Sequence, residues 1–99
     1  MALHIDPAKD EVRALRNAVN WRGQRVIEIG CGDGRLSLRL ATLGPARIDA
    51  LDPDPSIIRA ARKNLPERYA EKIHYHAGLA EKLKYPADTF DIAVFSWVL

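Results

Sequence analysis

Three glycines in five positions, Gly30, Gly32 and Gly34, stand between a short β-branched run and an apolar-periodic segment. Val26-Ile27-Glu28-Ile29 reads as a strand, and Leu36, Leu40 and Leu43 recur at helical spacing. A glycine turn directly between strand and helix lets a ligand approach bare backbone, and the start of the helix offers unpaired amides. The unit therefore commits the chain to an α/β arrangement with a site at the carboxyl end of a strand.

The rest of the chain repeats that alternation. Asp6-Pro7 reads as an N-cap and first-turn pair ahead of Val12, Leu15 and Val19, a helix expected to end near Trp21-Arg22-Gly23. Gly44-Pro45 punctuates, Ile48 to Leu51 predicts a second strand, and Asp54-Pro55 repeats the helix-start signature before Ile57, Ile58, Ala61 and Leu65. Pro66 disturbs that helix, Ile73 to Ala77 alternates as a third strand, and Phe90 to Phe95 forms a fourth. Strands alternating with helices imply a Rossmann-like, doubly wound parallel sheet, here cut short after its fourth strand. The 99 residues make one incomplete domain, 1–99. The fourth strand is apolar throughout and suits a position flanked on both sides, so its exposed edge is expected to drive self-association.

Composition narrows the setting. Fifteen basic and thirteen acidic side chains leave a formal charge of +2, and Arg35, Arg39, Arg47, Arg59, Arg62 and Lys63 are interleaved with acids, which argues against a nucleic-acid partner. One cysteine, Cys31, cannot close an internal disulfide, and the N-terminus lacks the regions of a signal peptide, so a cytoplasmic setting is expected. No apolar run approaches the ~20 residues that cross a bilayer.

The glycine turn is selective in what it excludes. A dinucleotide fingerprint would carry its third glycine where Arg35 stands, and a phosphate-binding Walker loop would need a Lys-Ser/Thr pair that the chain lacks. Asp52 follows at the end of the second strand, about twenty residues on, where a carboxylate accepts hydrogen bonds from both ribose hydroxyls. Such a carboxylate suits NAD or S-adenosylmethionine and disfavours a 2′-phosphate.

Val26-Ile27-Glu28-Ile29-Gly30-Cys31-Gly32-Asp33-Gly34 resembles the first motif of class I S-adenosylmethionine-dependent methyltransferases. Leu51-Asp52-Pro53-Asp54-Pro55-Ser56-Ile57 resembles their second-strand motif, and the segment from Gly78-Leu79-Ala80-Glu81 to Phe90-Asp91 resembles the loop into their fourth strand. The resemblance implies S-adenosyl-L-methionine as cofactor and S-adenosyl-L-homocysteine as product. Gly30, Gly32 and Gly34, with Cys31 in the same turn, would pass beneath the methionine and ribose portions, and Glu28 would orient the amino group. Asp52, beside Pro53, would hold the ribose. Ile57 would cover one adenine face, Ala80 would present its amide to the ring, and Ser96 would flank the methionine. Leu79 stands where the family often has an aspartate that receives the adenine amine. Losing that bond is worth roughly 1.5 to 3 kcal/mol unless Glu81 or backbone compensates.

The implied reaction is methyl transfer to a small-molecule acceptor by positioning, with no general base required from this chain and its catalytic residues unknown. The alternative is a non-catalytic cofactor-binding fragment, or pseudoenzyme, that needs a partner chain. A third reading, a nicotinamide-dependent oxidoreductase, requires Arg35 to replace a glycine. Other features read as structural. Cys31 is a small side chain in a crowded turn without a partner base, and His74 and His76 share a strand face without a third metal ligand. Asp88 and Asp91 read as loop and strand-start groups, and Trp21 and Trp97 as packing residues, with Trp97 expected to face the acceptor.

Overall fold

A computed structural model describes residues 1–6, 12–79, 85–86 and 88–96. In chain order the elements are β1 (Ala2–Ile5), α1 (Val12–Ala18), β2 (Arg25–Ile29), α2 (Arg35–Ala41), β3 (Arg47–Asp52), α3 (Pro55–Lys63), a 3₁₀ turn (Glu67–Tyr69), β4 (Ile73–Ala77) and β5 (Ile92–Ser96). The five strands form one sheet in the order β1-β5-β2-β3-β4, and every neighbouring pair is parallel.

The central strands are buried on both faces, as their continuous apolar runs require. Val26, Ile48, Ala50, Ile73, Tyr75, Ile92 and Val94 alternate onto one face and pack with Leu15, Leu36, Leu40, Ile58 and Ala61 from the three helices. Trp21 is buried in that core, and its indole N–H donates to the Leu15 carbonyl at 2.6 Å. Its polar edge is thereby satisfied without solvent. Helix α3 begins as its sequence dictates: Asp54 accepts from the Ser56 amide at 2.9 Å, and Pro55 occupies the first turn. It ends at Asn64, before Pro66.

The opposite face carries charge. Asp49, on β3, is buried and accepts from Arg47 Nε at 2.9 Å and pairs with His76 Nε2 at 3.0 Å. Burial alone would raise its pKa, but those two hydrogen bonds outweigh burial and hold the carboxyl below its ordinary value. His74 Nε2 meets the Glu71 carbonyl, so both histidines of β4 are engaged within the protein. Among the described residues there is no group of three metal-ligating side chains, nor any helix long and apolar enough to cross a membrane.

One expectation needs correction. The β5 edge, expected to be exposed and available for self-association, is covered by β1, with Leu3 opposite Val94 and Ile5 opposite Ser96. The Ala93 amide donates to the Met1 carbonyl at 2.7 Å, and the terminal ammonium reaches the Asp91 carbonyl. Leu3 and Ile5 extend the buried face while His4 stacks on Phe95 on the other, so a four-residue alternation suffices to cap an apolar strand. Among the described residues the unpaired edges lie instead at β1 and β4. The start of the first helix at Pro7, the Ala80 position and Trp97 lie outside the described residues.

Candidate functional site

All the parallel strands end on one side of the sheet, and there the turns after β2, β3 and β4 are tied together. The Gly30 and Cys31 amides both donate to the Leu51 carbonyl, at 2.8 and 2.9 Å. The Gly34 amide turns back to the Cys31 carbonyl at 3.1 Å. Two glycines of this turn are required for different reasons. At Gly32, φ is +55° and the space where a side chain would project is open, so the backbone stands bare to a ligand. At Gly34, φ is +90° and a Cβ would overlap the Tyr75 hydroxyl.

Asp52 joins the turns. Its Oδ2 accepts from the Gly32 amide at 3.2 Å, its Oδ1 from the Asp54 amide at 3.0 Å, and its carbonyl from the Gly78 amide at 2.9 Å. The side chain does cap the turn that follows it, the plainest structural role open to it. A carboxylate offers about four acceptor positions, so two remain for a ligand.

Glu28 is fully buried beneath the glycine turn. The Ser37 hydroxyl donates to its Oε1 at 2.5 Å and the Ser96 hydroxyl to its Oε2 at 3.0 Å. Burial pushes its pKa up to about 7 against the opposing pull of the two serines. Burial, together with the charges of Glu28 and Asp52, raises the Cys31 thiol far above its ordinary value. That leaves Cys31 a packing group rather than a nucleophile.

The structure thus gathers Glu28, Gly30, Cys31, Gly32, Gly34, Asp52, Pro53, Ile57, Leu79 and Ser96 at the carboxyl ends of β2, β3, β4 and β5 or in the turns that follow them. Pro53 is exposed, Ile57 is half-buried in the first turn of α3, and Leu79 is 40% exposed, an apolar side chain facing solvent. Two members escaped the sequence reading. Ser37 is fully buried on α2 beside Leu36 and donates to Glu28, and Tyr75 is buried on β4 with its hydroxyl against Gly34. A polar residue at an inward helical position and a tyrosine at an inward strand position were the available signals.

A glycine turn bonded to the carboxylate at the end of the next parallel strand defines the α/β proteins that take a nucleoside-bearing cofactor at the strand ends. Within that class the chain belongs to the methyltransferase domain family, whose sequence profile matches residues 26–99. It is 40% identical over 77 residues to a ubiquinone biosynthesis O-methyltransferase of Methylocella silvestris, covering 78% of this chain and 29% of that protein. It is 35% identical over 78 residues to the 7SK snRNA methylphosphate capping enzyme of Mus musculus, covering 77% of this chain and 12% of that one. An S-adenosylmethionine dependent methyltransferase from Mesorhizobium loti superposes on 88% of the chain with a TM-score of 0.72 at 28% identity, 37% of that structure being matched. The chain therefore spans well under two thirds of the relatives it matches.

The family's cofactor is S-adenosyl-L-methionine, and the site's chemistry fits it. Glu28, Asp33 and Asp52 all act on the Cys31 thiol and raise its pKa, so the turn lies in a field of negative charge. Such surroundings suit a ligand that carries an ammonium and a sulfonium.

Proposed function

We propose that this chain is the cofactor-binding part of an S-adenosylmethionine-dependent methyltransferase whose acceptor is a small molecule. The observation that carries the reading is the bond from the Gly32 amide to Asp52, which sets a bare turn and a ribose-competent carboxylate against each other. When bound, the cofactor supplies a methyl group already made electrophilic by its sulfonium.

What remains for the protein is binding and orientation. Gly30, Gly32 and Gly34 pass beneath the methionine and ribose, with Cys31 filling the space under the turn. Glu28 orients the amino group, with Ser96 beside it, and Asp52 accepts from the ribose hydroxyls with Pro53 following. Ile57 and Leu79 flank the adenine, and Ala80 offers its amide to the ring. No general base is assigned in this chain. A small-molecule acceptor is supported by the likeness to the ubiquinone biosynthesis enzyme, and a cytoplasmic setting by the single buried thiol.

Calorimetric titration of the chain and of Asp52→Ala with S-adenosylhomocysteine tests this reading. Saturable binding that Asp52→Ala weakens at least tenfold supports it. Equal affinities in the two proteins refute the role of Asp52.

A further inference from the structure

Glu28 is 0% exposed, and a hydroxyl holds each of its carboxyl oxygens. Ser37 of α2 donates to Oε1 at 2.5 Å, and Ser96 of β5 donates to Oε2 at 3.0 Å. One donor comes from the helix layer and the other from the neighbouring strand, so the carboxyl is fixed against rotation. A group enclosed in this way does not itself meet a ligand that lies over the glycine turn.

Ser96 stands further out. Phe95 pairs with Ile29 in the register of β2 and β5, so Ser96, one step on, comes level with Gly30, where the strand gives way to the turn. Its side of the sheet end is only half-buried. The hydroxyl has one proton and two lone pairs, and an ionised carboxyl can only accept. With its proton given to Glu28, Ser96 has only acceptor positions left for a ligand. The carboxylate also polarises the hydroxyl that it receives, which strengthens those lone pairs as acceptors.

We propose that the cofactor's ammonium is received by the Ser96 hydroxyl rather than by the Glu28 carboxyl, and that Glu28 is a positioning residue that fixes Ser96 as an acceptor. Ser37 holds the other carboxyl oxygen and so keeps Oε2 on Ser96. The inference rests on reading the glycine turn as the seat of S-adenosylmethionine, and it sets the direction of the amino-acid end. An ammonium, which only donates, suits Ser96; the ligand's own carboxylate, which only accepts, does not.

The test is calorimetric titration with S-adenosylhomocysteine and with 5′-methylthioadenosine, which keeps the nucleoside and the sulfur but lacks the amino-acid group. The proteins are the native chain, Ser96→Ala, Ser96→Thr, Glu28→Gln and the double variant Ser96→Ala with Glu28→Gln, with circular dichroism confirming the fold of each. At pH 8, above the Glu28 value of about 7, the native chain prefers S-adenosylhomocysteine. Ser96→Ala reduces that preference roughly tenfold, and Ser96→Thr, which keeps the hydroxyl, retains it. Glu28→Gln also reduces it, and in the Ser96→Ala background it has no further effect. Ser96→Cys, whose thiol is a weak acceptor, gives the independent reading should Ser96→Ala not fold. An unchanged preference in the Ser96 variants, or a Glu28→Gln effect that persists without the hydroxyl, overturns the proposal and leaves the cofactor reading intact. Binding of neither ligand to the native chain overturns the cofactor reading and this inference with it.

Discussion

The Gly32 amide and the Asp52 carboxylate lie 3.2 Å apart, donor to acceptor, across the gap between the turn after β2 and the end of β3. One side chain thereby ties the glycine turn to the turn that follows β3. Under the proposed reading, cofactor binding and local stability are coupled at this residue.

The coupling predicts a double effect of Asp52→Asn. The amide keeps one acceptor and loses the charge, so S-adenosylhomocysteine affinity falls by about tenfold or more. Stability drops as well, by roughly 1 to 2 kcal/mol, because the Gly32 or the Asp54 amide loses its acceptor. Calorimetry and urea denaturation measure the two separately; loss of affinity with unchanged stability would contradict the shared role.

Glu28 contributes a pH dependence near neutrality to the stability of the free protein. Its folded pKa of about 7 lies above the ordinary value of 4.5, so the folded state holds an extra proton between them. Its contribution to stability is full below the unfolded value and is lost as pH rises through 7. The full loss amounts to roughly 3 to 4 kcal/mol for a shift of this size. Urea denaturation at pH 5 and pH 8 should show the decline in the native chain and a much smaller one in Glu28→Gln.

Gly34 and Tyr75 form a testable pair. Gly34→Ala places a methyl group on the tyrosine hydroxyl and adds the cost of a left-handed residue, about 1 to 2 kcal/mol on its own. The substitution should destabilise the chain by more than 2 kcal/mol in total. Adding Tyr75→Phe removes the atom in the way, so the double variant should recover part of the loss. A strictly additive cycle in thermal or urea melts would contradict the contact.

Leu79 predicts a gain. It is 40% exposed, two residues past the end of β4, where a carboxylate keeps contact with water. Leu79→Asp supplies an acceptor for the adenine amine and should tighten S-adenosylhomocysteine about tenfold. Unchanged affinity would place the adenine elsewhere.

The β5 edge is closed by only four residues of β1. Removing residues 1–5 exposes the unpaired groups of an apolar strand, and sedimentation velocity should then show dimers or larger species where the native chain sediments as a smaller one. An unchanged profile would mean that β1 does not protect that edge.

Much of this was legible in residue order. Asp54-Pro55 announced α3, the alternation of Ile73-His74-Tyr75-His76-Ala77 gave the limits of β4, and the glycine spacing located the turn between β2 and α2. The signals were local, made of caps, periodicity and turns. What escaped was non-local. Strand β1 is too short to stand out beside the helix-start signature of Asp6-Pro7, and its pairing depends on β5, some ninety residues away. Ser37 and Tyr75 look like ordinary members of an apolar helix and a strand, and only folding brings the Ser37 hydroxyl to Glu28 and the Tyr75 hydroxyl against Gly34.

The most direct measurement is calorimetric titration of the folded chain with S-adenosylhomocysteine and NAD in parallel. The account predicts saturable binding of S-adenosylhomocysteine and none of NAD. Binding of NAD alone, or of neither ligand to a chain shown to be folded, would contradict it.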